Sequence, residues 1–530
     1  MRVAYTGGFS APVPLGPPLE DAGQPSCAGP REAAGHGRGG PAGGGATRKK
    51  TYTRRGLLAG AVSGGVAVAA TRLLVLERPE VRAAFDKHSP LHNGARDAAV
   101  SQPRATTRPA ATPAAPSLPA VPEPLLISQL LRRVAFGGTE AMYQQAMRQG
   151  YQQTVDQLLG QVAAQPTPLP GGEALGATPK LSVEQLQQWW ITHMVATPTP
   201  FHERLTLFMA GLFTTDVRKV GTGSPFLAWQ NRTWREMALG DLRTILTRVS
   251  VDPAMLLYLD GNLSDGNGMP NQNYARELLE RFSIGPVYTE QDVRMGALAL
   301  SGWRVPQAGK DSTRTGVFDP ARHFALPVRF LGRERPMDLA AVVDAILAHP
   351  ACAPFVTTRL LQEFVTPNPD PGCVERLATG FRKSGYQLRA LVRDILLSPE
   401  FAAQAGYRAL VKSPLDYMVG AARLVSADPL RVAPLIRQYA TDMGHAPFAP
   451  PDVGGYAQNA SWLTPITLTQ RVNFATDLVG TFRTAPAAAT LVPRYLDGIL
   501  SGGTTQSLTA AATEPQRLWT LLASPDAQLA

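Results

Sequence analysis

The sequence predicts a mostly α-helical protein: one large multi-helix domain over residues 125–530, with at most a small β-ribbon near 316–330. Three observations lead there. Apolar residues recur at three- and four-residue spacing along stretch after stretch of this region, the period of an amphipathic helix. Only Gly316–Phe330 has the short runs and central turn of paired strands. The hydrophobic content of 44% suffices for a large core, and no self-similarity of solenoid period (about 30–45 residues) is visible.

Taken in order, residues 1–47 are crowded with Gly, Pro and Ala without apolar period, and are expected to be disordered. Residues 48–70 then read as an export signal: Arg48–Leu58 is basic, an apolar Gly/Ala-rich run follows to Ala70, and Ala67-Val68-Ala69 is a small-residue triplet. Thr53-Arg54-Arg55-Gly56-Leu57-Leu58 resembles the twin-arginine signal, whose pathway moves already folded proteins. The expected location is periplasmic or extracellular. Arg72 interrupts the apolar run, leaving it short of the roughly 20 residues of a membrane span. Membrane attachment is therefore expected only through an uncleaved signal. Residues 71–124, rich in Thr, Pro and Ala towards their end, read as a linker.

Locating the formal charge of +10 changes its meaning. Residues 1–124 hold 15 basic against 8 acidic side chains, whereas the rest holds 36 against 33. The surplus belongs to the leader and linker, so the folded region gives little electrostatic reason to expect nucleic acid. Cys27 precedes the signal, which leaves Cys352 and Cys373. Outside the cytoplasm they have two readings. One is a disulfide closing a loop of about 20 residues, worth ~3 kcal/mol; the other is a pair of buried thiols.

The folded region should open with a helix at Leu125–Val134. A Thr139-capped helix to Gly150 follows, then Tyr151–Leu159, Val183–Val195, Pro200–Phe213 and one long helical stretch Trp229–Val249. The densest segment is Asn271–Phe282. Tyr274, Leu278 and Phe282 share its apolar face, while Arg276–Glu280 and Glu277–Arg281 stand four apart and can pair. Thr289 should cap Glu290–Gly302. The runs at Gly316 and at Pro327–Phe330 can pair across Asp319-Pro320. Helices resume at Asp338–Ala348, Pro354–Val365, Val374–Lys383, Leu388–Leu397, Pro414–Val425 and Leu430–Met443. Pro447–Pro465 has no period and is too long for a simple connector, hence a functional loop or an ordered plug. Further helices are expected at Thr467–Phe482, Leu491–Leu500 and Pro515–Leu522.

Several of these stretches together resemble the bacterial exported family of domains of unknown function numbered eighteen hundred. In order they are Leu130–Gly137, Glu203–Phe208 with Phe213-Thr214-Thr215, Asp252–Asp260, Asn271–Phe282 and Ser301-Gly302-Trp303. Phe318-Asp319-Pro320 with His323, Phe330-Leu331-Gly332, Leu410–Pro414 and Phe448–Gly455 complete the set, over about residues 125–480. The chain departs from the family pattern at places where that pattern is polar. It has Met209-Ala210-Gly211-Leu212 where histidines are expected, Gln272 for a Glu, Phe324 for an Asp, and Asp452 and Tyr456 for an Asn and a Trp. The resemblance implies a component working beside a co-exported sulfatase- or phosphatase-like partner, an association and not a mechanism.

Hydrolysis would need a carboxylate and an imidazole together, with donors to hold the substrate. The candidates are Glu277 (or Glu280) as base and His323 as acid or ligand, with Arg204, Asn271, Asn273 and Arg276 as binding groups. The same residues also make a structural cluster tying helices together, since buried charges persist mainly when paired. Trp462, in the aperiodic segment, is the candidate exposed stacking platform. No cofactor is singled out. Asp260–Asn267 alternates oxygen side chains as calcium loops do, but its glycine is misplaced for an EF-hand and Asn271 stands where the bidentate Glu belongs. No HExxH, paired cysteines or dinucleotide fingerprint is present. Three readings follow: an exported binding or accessory protein, a hydrolase of a cell-envelope or extracellular polymer, and an envelope scaffold without catalysis.

Overall fold

The computed structural model describes residues 120–530 apart from 171, 177–180 and 269; the predicted leader, signal and most of the linker lie outside these. Val121 donates its N–H to the Ala402 carbonyl at 2.8 Å, and α1 (Glu123–Val134) follows. Next come α2 (Glu140–Gln149), capped by Thr139 as expected, and α3 (Tyr151–Gly160). Then follow α4 (Val183–Ala196), α5 (Pro200–Leu212), the short α6 (Val217–Val220) and α7 (Phe226–Met237).

The expected continuous helix across Trp229–Val249 is broken. α7 stops at Met237 and α8 (Leu242–Ser250) restarts after Asp241, whose carboxylate caps the Thr244 N–H at 2.9 Å. The break is also stapled from outside, since Leu242 N–H donates to Tyr386 and Leu388 N–H to Gly240. After α9 (Pro253–Tyr258), the motif forms α10 (Asn273–Glu280). Tyr274, Leu278 and Phe282 are buried together, and the Tyr274 hydroxyl donates to Ser250 Oγ at 2.7 Å. α11 (Glu290–Ala299) starts with a capping box between Thr289 and Asp292.

The ribbon differs from expectation. The run at 317 and the run at 328 do not pair with each other. β1 (Trp303–Arg304) pairs antiparallel with β2 (Val317–Phe318), and β3 (Val328–Phe330) with β4 (Arg333–Arg335). β3 closes on β4 through a tight turn, while β2 reaches further back to β1, where Trp303 and Phe318 form an aromatic pair at 5.1 Å.

The second half contains α12 (Leu339–Ala348), α13 (Cys352–Phe364), α14 (Pro371–Lys383), α15 (Leu388–Leu396) and the short α16 (Pro399–Ala402). Then come α17 (Pro414–Leu424), α18 (Pro429–Asp442), α19 (Pro465–Gly480), α20 (Ala488–Leu496), α21 (Gly502–Ala510) and α22 (Glu514–Ala523). Cys352 and Cys373 are both free, buried thiols rather than a disulfide, and burial pushes each up to about 12. Among the described residues no single helix is long and apolar enough to cross a membrane.

Two apolar cores result. One is built from α1, α3, α8 and α10–α15, the other from α4, α17–α20 and α22. Helix α5 serves both. Phe201, Leu205, Met209 and Leu212 enter the first core at near-helical spacing, while Leu207, on another face, enters the second. The sequence of α5 thus places its remaining face at the boundary between the cores.

Candidate functional site

That face carries Arg204, Phe208 and Gly211; flanked by Leu207 from the second-core side and Leu212 from the first, they make an i, i+3, i+4, i+7, i+8 stripe that lines a cavity of about 230 Å³. Three further voids are each about 10 Å³, room for a water at most. Helix α1 contributes Arg132 and Arg133 to the large cavity, α13 contributes Arg359 and Glu363, and the entry to α17 contributes Leu410–Ser413 and Asp416. The aperiodic segment supplies Tyr456–Asn459 and Trp462.

Arg204 is the centre of this wall. Its Nη1 lies 2.5 Å from Glu363 Oε1 and its Nε 2.8 Å from Asp416 Oδ1, and its guanidinium sits over the Phe364 ring. Burial opposes its charge, but the carboxylates of Asp416 and then Glu363 outweigh that and hold its pKa above the ordinary value. Asp416 is fixed in turn by the capping box of α17, where its Oδ2 accepts from the Ser413 hydroxyl at 2.7 Å. Beside it His445 is buried, stacked on Trp462 (5.1 Å, 27°) and packed against Tyr456 at 4.5 Å. Burial, then Arg204 and Arg471, lower its imidazole to about 3 against the pull of Asp416, so it is neutral at ordinary pH. Lys412 points its ammonium at the Ala527 carbonyl (2.9 Å) and the Tyr495 ring (4.4 Å). Burial, then Arg132 and Arg408, push it well below the usual lysine range.

The Pro447–Pro465 segment is the ordered plug of the two alternatives, and it also lines the cavity. Its carbonyls are satisfied by side chains from α4, α6 and the α5–α6 link: Gln187 to Pro447 at 2.9 Å, Arg218 to Pro450 at 2.7 Å and Thr214 to Val453 at 2.7 Å. Gly455 makes the closest approach. Its φ is +89°, and a Cβ there would stand 2.5 Å from the Gly211 carbonyl oxygen. Gly455→Ala is therefore expected to cost at least about 2 kcal/mol through backbone strain and the clash, measured by urea unfolding. A change under about 0.5 kcal/mol would show that the turn is not pinned against α5.

On an adjacent face, one residue before Arg204, α5 presents Glu203 to a sealed polar cluster. The carboxylate accepts from Arg235 Nε (2.7 Å) and Nη2 (2.8 Å) and from the Trp190 indole, with His193 Nε2 at 3.2 Å. Burial would raise this carboxyl, but the charge and hydrogen bonds of Arg235, with His193, hold it down at about 2.

Of the residues anticipated from sequence, Arg204 and Trp462 meet in the cavity. Trp462 is 4% exposed and stacked, so it is not the exposed platform expected; the plug folds its indole back onto His445. Glu277 and His323 share no contact. His323 Nδ1 stands 3.1 Å from the Ser301 carbonyl with its ring against Phe318. Glu277 has Arg281 at 3.9 Å and one oxygen buried without a hydrogen bond, and burial, with Glu280, raises its carboxyl. Arg276 does not pair with Glu280. It makes a two-armed contact with Glu290 at 2.6 and 2.8 Å across the α10–α11 turn, while Glu280 receives the Tyr288 hydroxyl at 2.5 Å. Asn271 accepts the Asn273 N–H at 2.8 Å, and Asn273 reaches Asp260 at 3.4 Å. These are helix-start bonds. Asp260 itself holds Lys219 at 2.8 Å, and among the described residues no group of three or more His, Cys, Asp or Glu is placed for a metal ion.

Sequence reasoning missed Arg359, Glu363, Asp416 and His445. A signal for the site existed all the same. Segments carrying the family resemblance converge here, namely Leu130–Gly137, Glu203–Phe208 and Leu410–Pro414, with Tyr456 just past Phe448–Gly455. Gly211 and Tyr456, two of the positions where the chain departs from that pattern, also line the cavity. No curated protein and no solved structure matches the chain. The family described as "Protein of unknown function (DUF1800)" matches residues 129–529, which takes in every lining segment but the final residue, and the chain belongs to that family.

Proposed function

We propose that this is an exported binding or accessory protein that holds a small ligand in the cavity beside Arg204. We further propose that it works with a co-exported sulfatase- or phosphatase-like partner. The observation that carries the binding reading is the convergence on one cavity of the segments by which the chain resembles its family. The partner and the export rest on the family resemblance and on Arg54-Arg55 with the apolar run behind them. A hydrolase working through Glu277 and His323 has less support, because His323 is turned to the Ser301 carbonyl, no hydrogen bond or ion pair joins it to Glu277, and neither lines the cavity.

Affinity purification of the exported protein, followed by mass spectrometry, is expected to recover a hydrolase-like partner reproducibly. Recovery of none would sink the partnership. Lysines in place of Arg54 and Arg55 are expected to retain the protein in the cytoplasm, and undiminished secretion would refute the export route.

A further inference from the structure

We infer that the cavity takes a small oxyanion (a sulfate or phosphate monoester, or a carboxylate), with Arg359 as its unpaired cation and Arg204 as its pre-positioned one. This rests on the reading of the cavity as a ligand site and deepens it by naming the ligand's chemistry.

The lining has five basic side chains, Arg132, Arg133, Arg204, Arg359 and Lys412, against two acidic ones, Glu363 and Asp416. Following each to its partner shows where charge is left over. Arg132 is paired with Asp497. Arg133 donates to the carbonyls of Phe364, Gly406 and Ala530. Lys412 is held by the Ala527 carbonyl and the Tyr495 ring. Arg204 contacts both acidic side chains, one positive charge against two negative, so the excess of the lining rests on the other four basic groups. Arg359 alone of the five makes no hydrogen bond or ion pair among the described residues; its Nε is fully buried without a partner, as are Arg132 Nε and Nη2 and Arg133 Nε.

A half-buried guanidinium without a hydrogen-bond partner is costly to the empty protein: burial opposes its charge, the nearby carboxylate of Glu363 offsets part of that, and Arg281 adds a smaller like-charge repulsion. Glu363, one turn further along α13, has the spacing to relieve it but is engaged by Arg204 instead. An oxyanion would satisfy Arg359 with charge-assisted, two-armed hydrogen bonds, the geometry for which a guanidinium is best suited. Arg204 needs no reorganisation, since Glu363 and Asp416 already fix it. The volume of about 230 Å³ is below the roughly 300–1,000 Å³ of drug-sized sites. That suits a single small unit, or the end of a chain, resting against Phe208, Tyr456 and Trp462.

The test is calorimetric titration of the purified full chain with glucose 6-sulfate, glucose 6-phosphate and glucuronate, with glucose as the neutral control. At least one anionic probe is expected to bind, and the ranking of the three identifies the oxyanion. Glucose should bind at least about tenfold more weakly. Arg359→Gln should weaken the anion about tenfold or more while the melting temperature of the empty protein stays level or rises. Gly211→Leu, which fills the cavity from the last turn of α5, should abolish binding with the fold retained by circular dichroism. Equal binding of glucose and the anions, indifferent to Arg359→Gln but lost in Gly211→Leu, would overturn the oxyanion and leave the ligand cavity standing. Anion binding that survives Gly211→Leu would overturn both readings. Failure of every probe to bind would overturn the oxyanion inference.

Discussion

Replacing Glu203 by alanine is expected to lower the unfolding free energy by about 3–5 kcal/mol. Glu203 and Arg235 are both essentially without exposure, 1% and 0%. Taking two such charges out of water is expensive, and the pair persists because every donor around the carboxylate is satisfied by it. Truncation strands Arg235, keeping only Asn231 as a close partner and a long contact to Gln165. It also removes the acceptor of the buried Trp190 indole. The loss would be measured by equilibrium urea unfolding, with Glu203→Gln as a partial retainer of the hydrogen bonds. A loss below about 1 kcal/mol would mean that water reaches this cluster and that its sealed character is wrong. Because Glu203 and Arg204 are neighbours on α5, the variant should also loosen the cavity wall, which ligand titration would register.

Stability is expected to fall as pH drops below about 6.5, by about 2 kcal/mol at pH 4.5 and further below that. Two imidazoles drive this. His445 is lowered to about 3 and His202 to about 4, in each case by burial first, with Arg204 and Arg471 around the former and Arg389 beside the latter. For a group lowered in the folded state, the stabilisation is fully present above the unfolded value, 6.5 for histidine. It is lost as pH falls through the folded one, because unfolding then takes up a proton. Asp252 opposes them. Burial raises its carboxyl from 3.8 to about 7, so its contribution is present at low pH and is lost as pH rises through 7. Two imidazoles against one carboxyl leave a net loss on acidification, joined below about 4.5 by Glu203. Asp252→Asn keeps the cap on Met255 and the contact with Gln230, so it should steepen the acid slope by removing the offset. Urea midpoints at pH 7.5 and 4.5 decide the matter, and a midpoint that stays level or rises on acidification would refute the buried-histidine account.

Local chemistry made much of the helical framework readable. Thr139 and Thr289 do cap helices, and Tyr274, Leu278 and Phe282 do share a buried face, because capping and periodicity are settled within a few residues. Where a neighbour distant in sequence intervened, the reading failed. The periodicity from Trp229 to Val249 is continuous, yet the backbone groups of Leu242 and Gly240 bond the Tyr386–Leu388 segment and the helix breaks there. Arg276 had an acceptable partner at Glu280 and took Glu290, because the turn between α10 and α11 brings a two-armed geometry within reach.

The sequence by itself determined the class of fold, the family, and that the polar helix α10 is an anchor of the structure. Only the tertiary structure decided which side chains share a cavity. Arg132, Arg204, Arg359, Asp416 and Trp462 come from five separate segments, and no spacing rule links them. They meet because α5 gives two of its faces to two cores, which leaves its third face along the boundary between them. Side chains that cannot enter either core, charged ones above all, gather where the cores part. Their pairing there depends on distance in space, which periodicity along a chain does not encode.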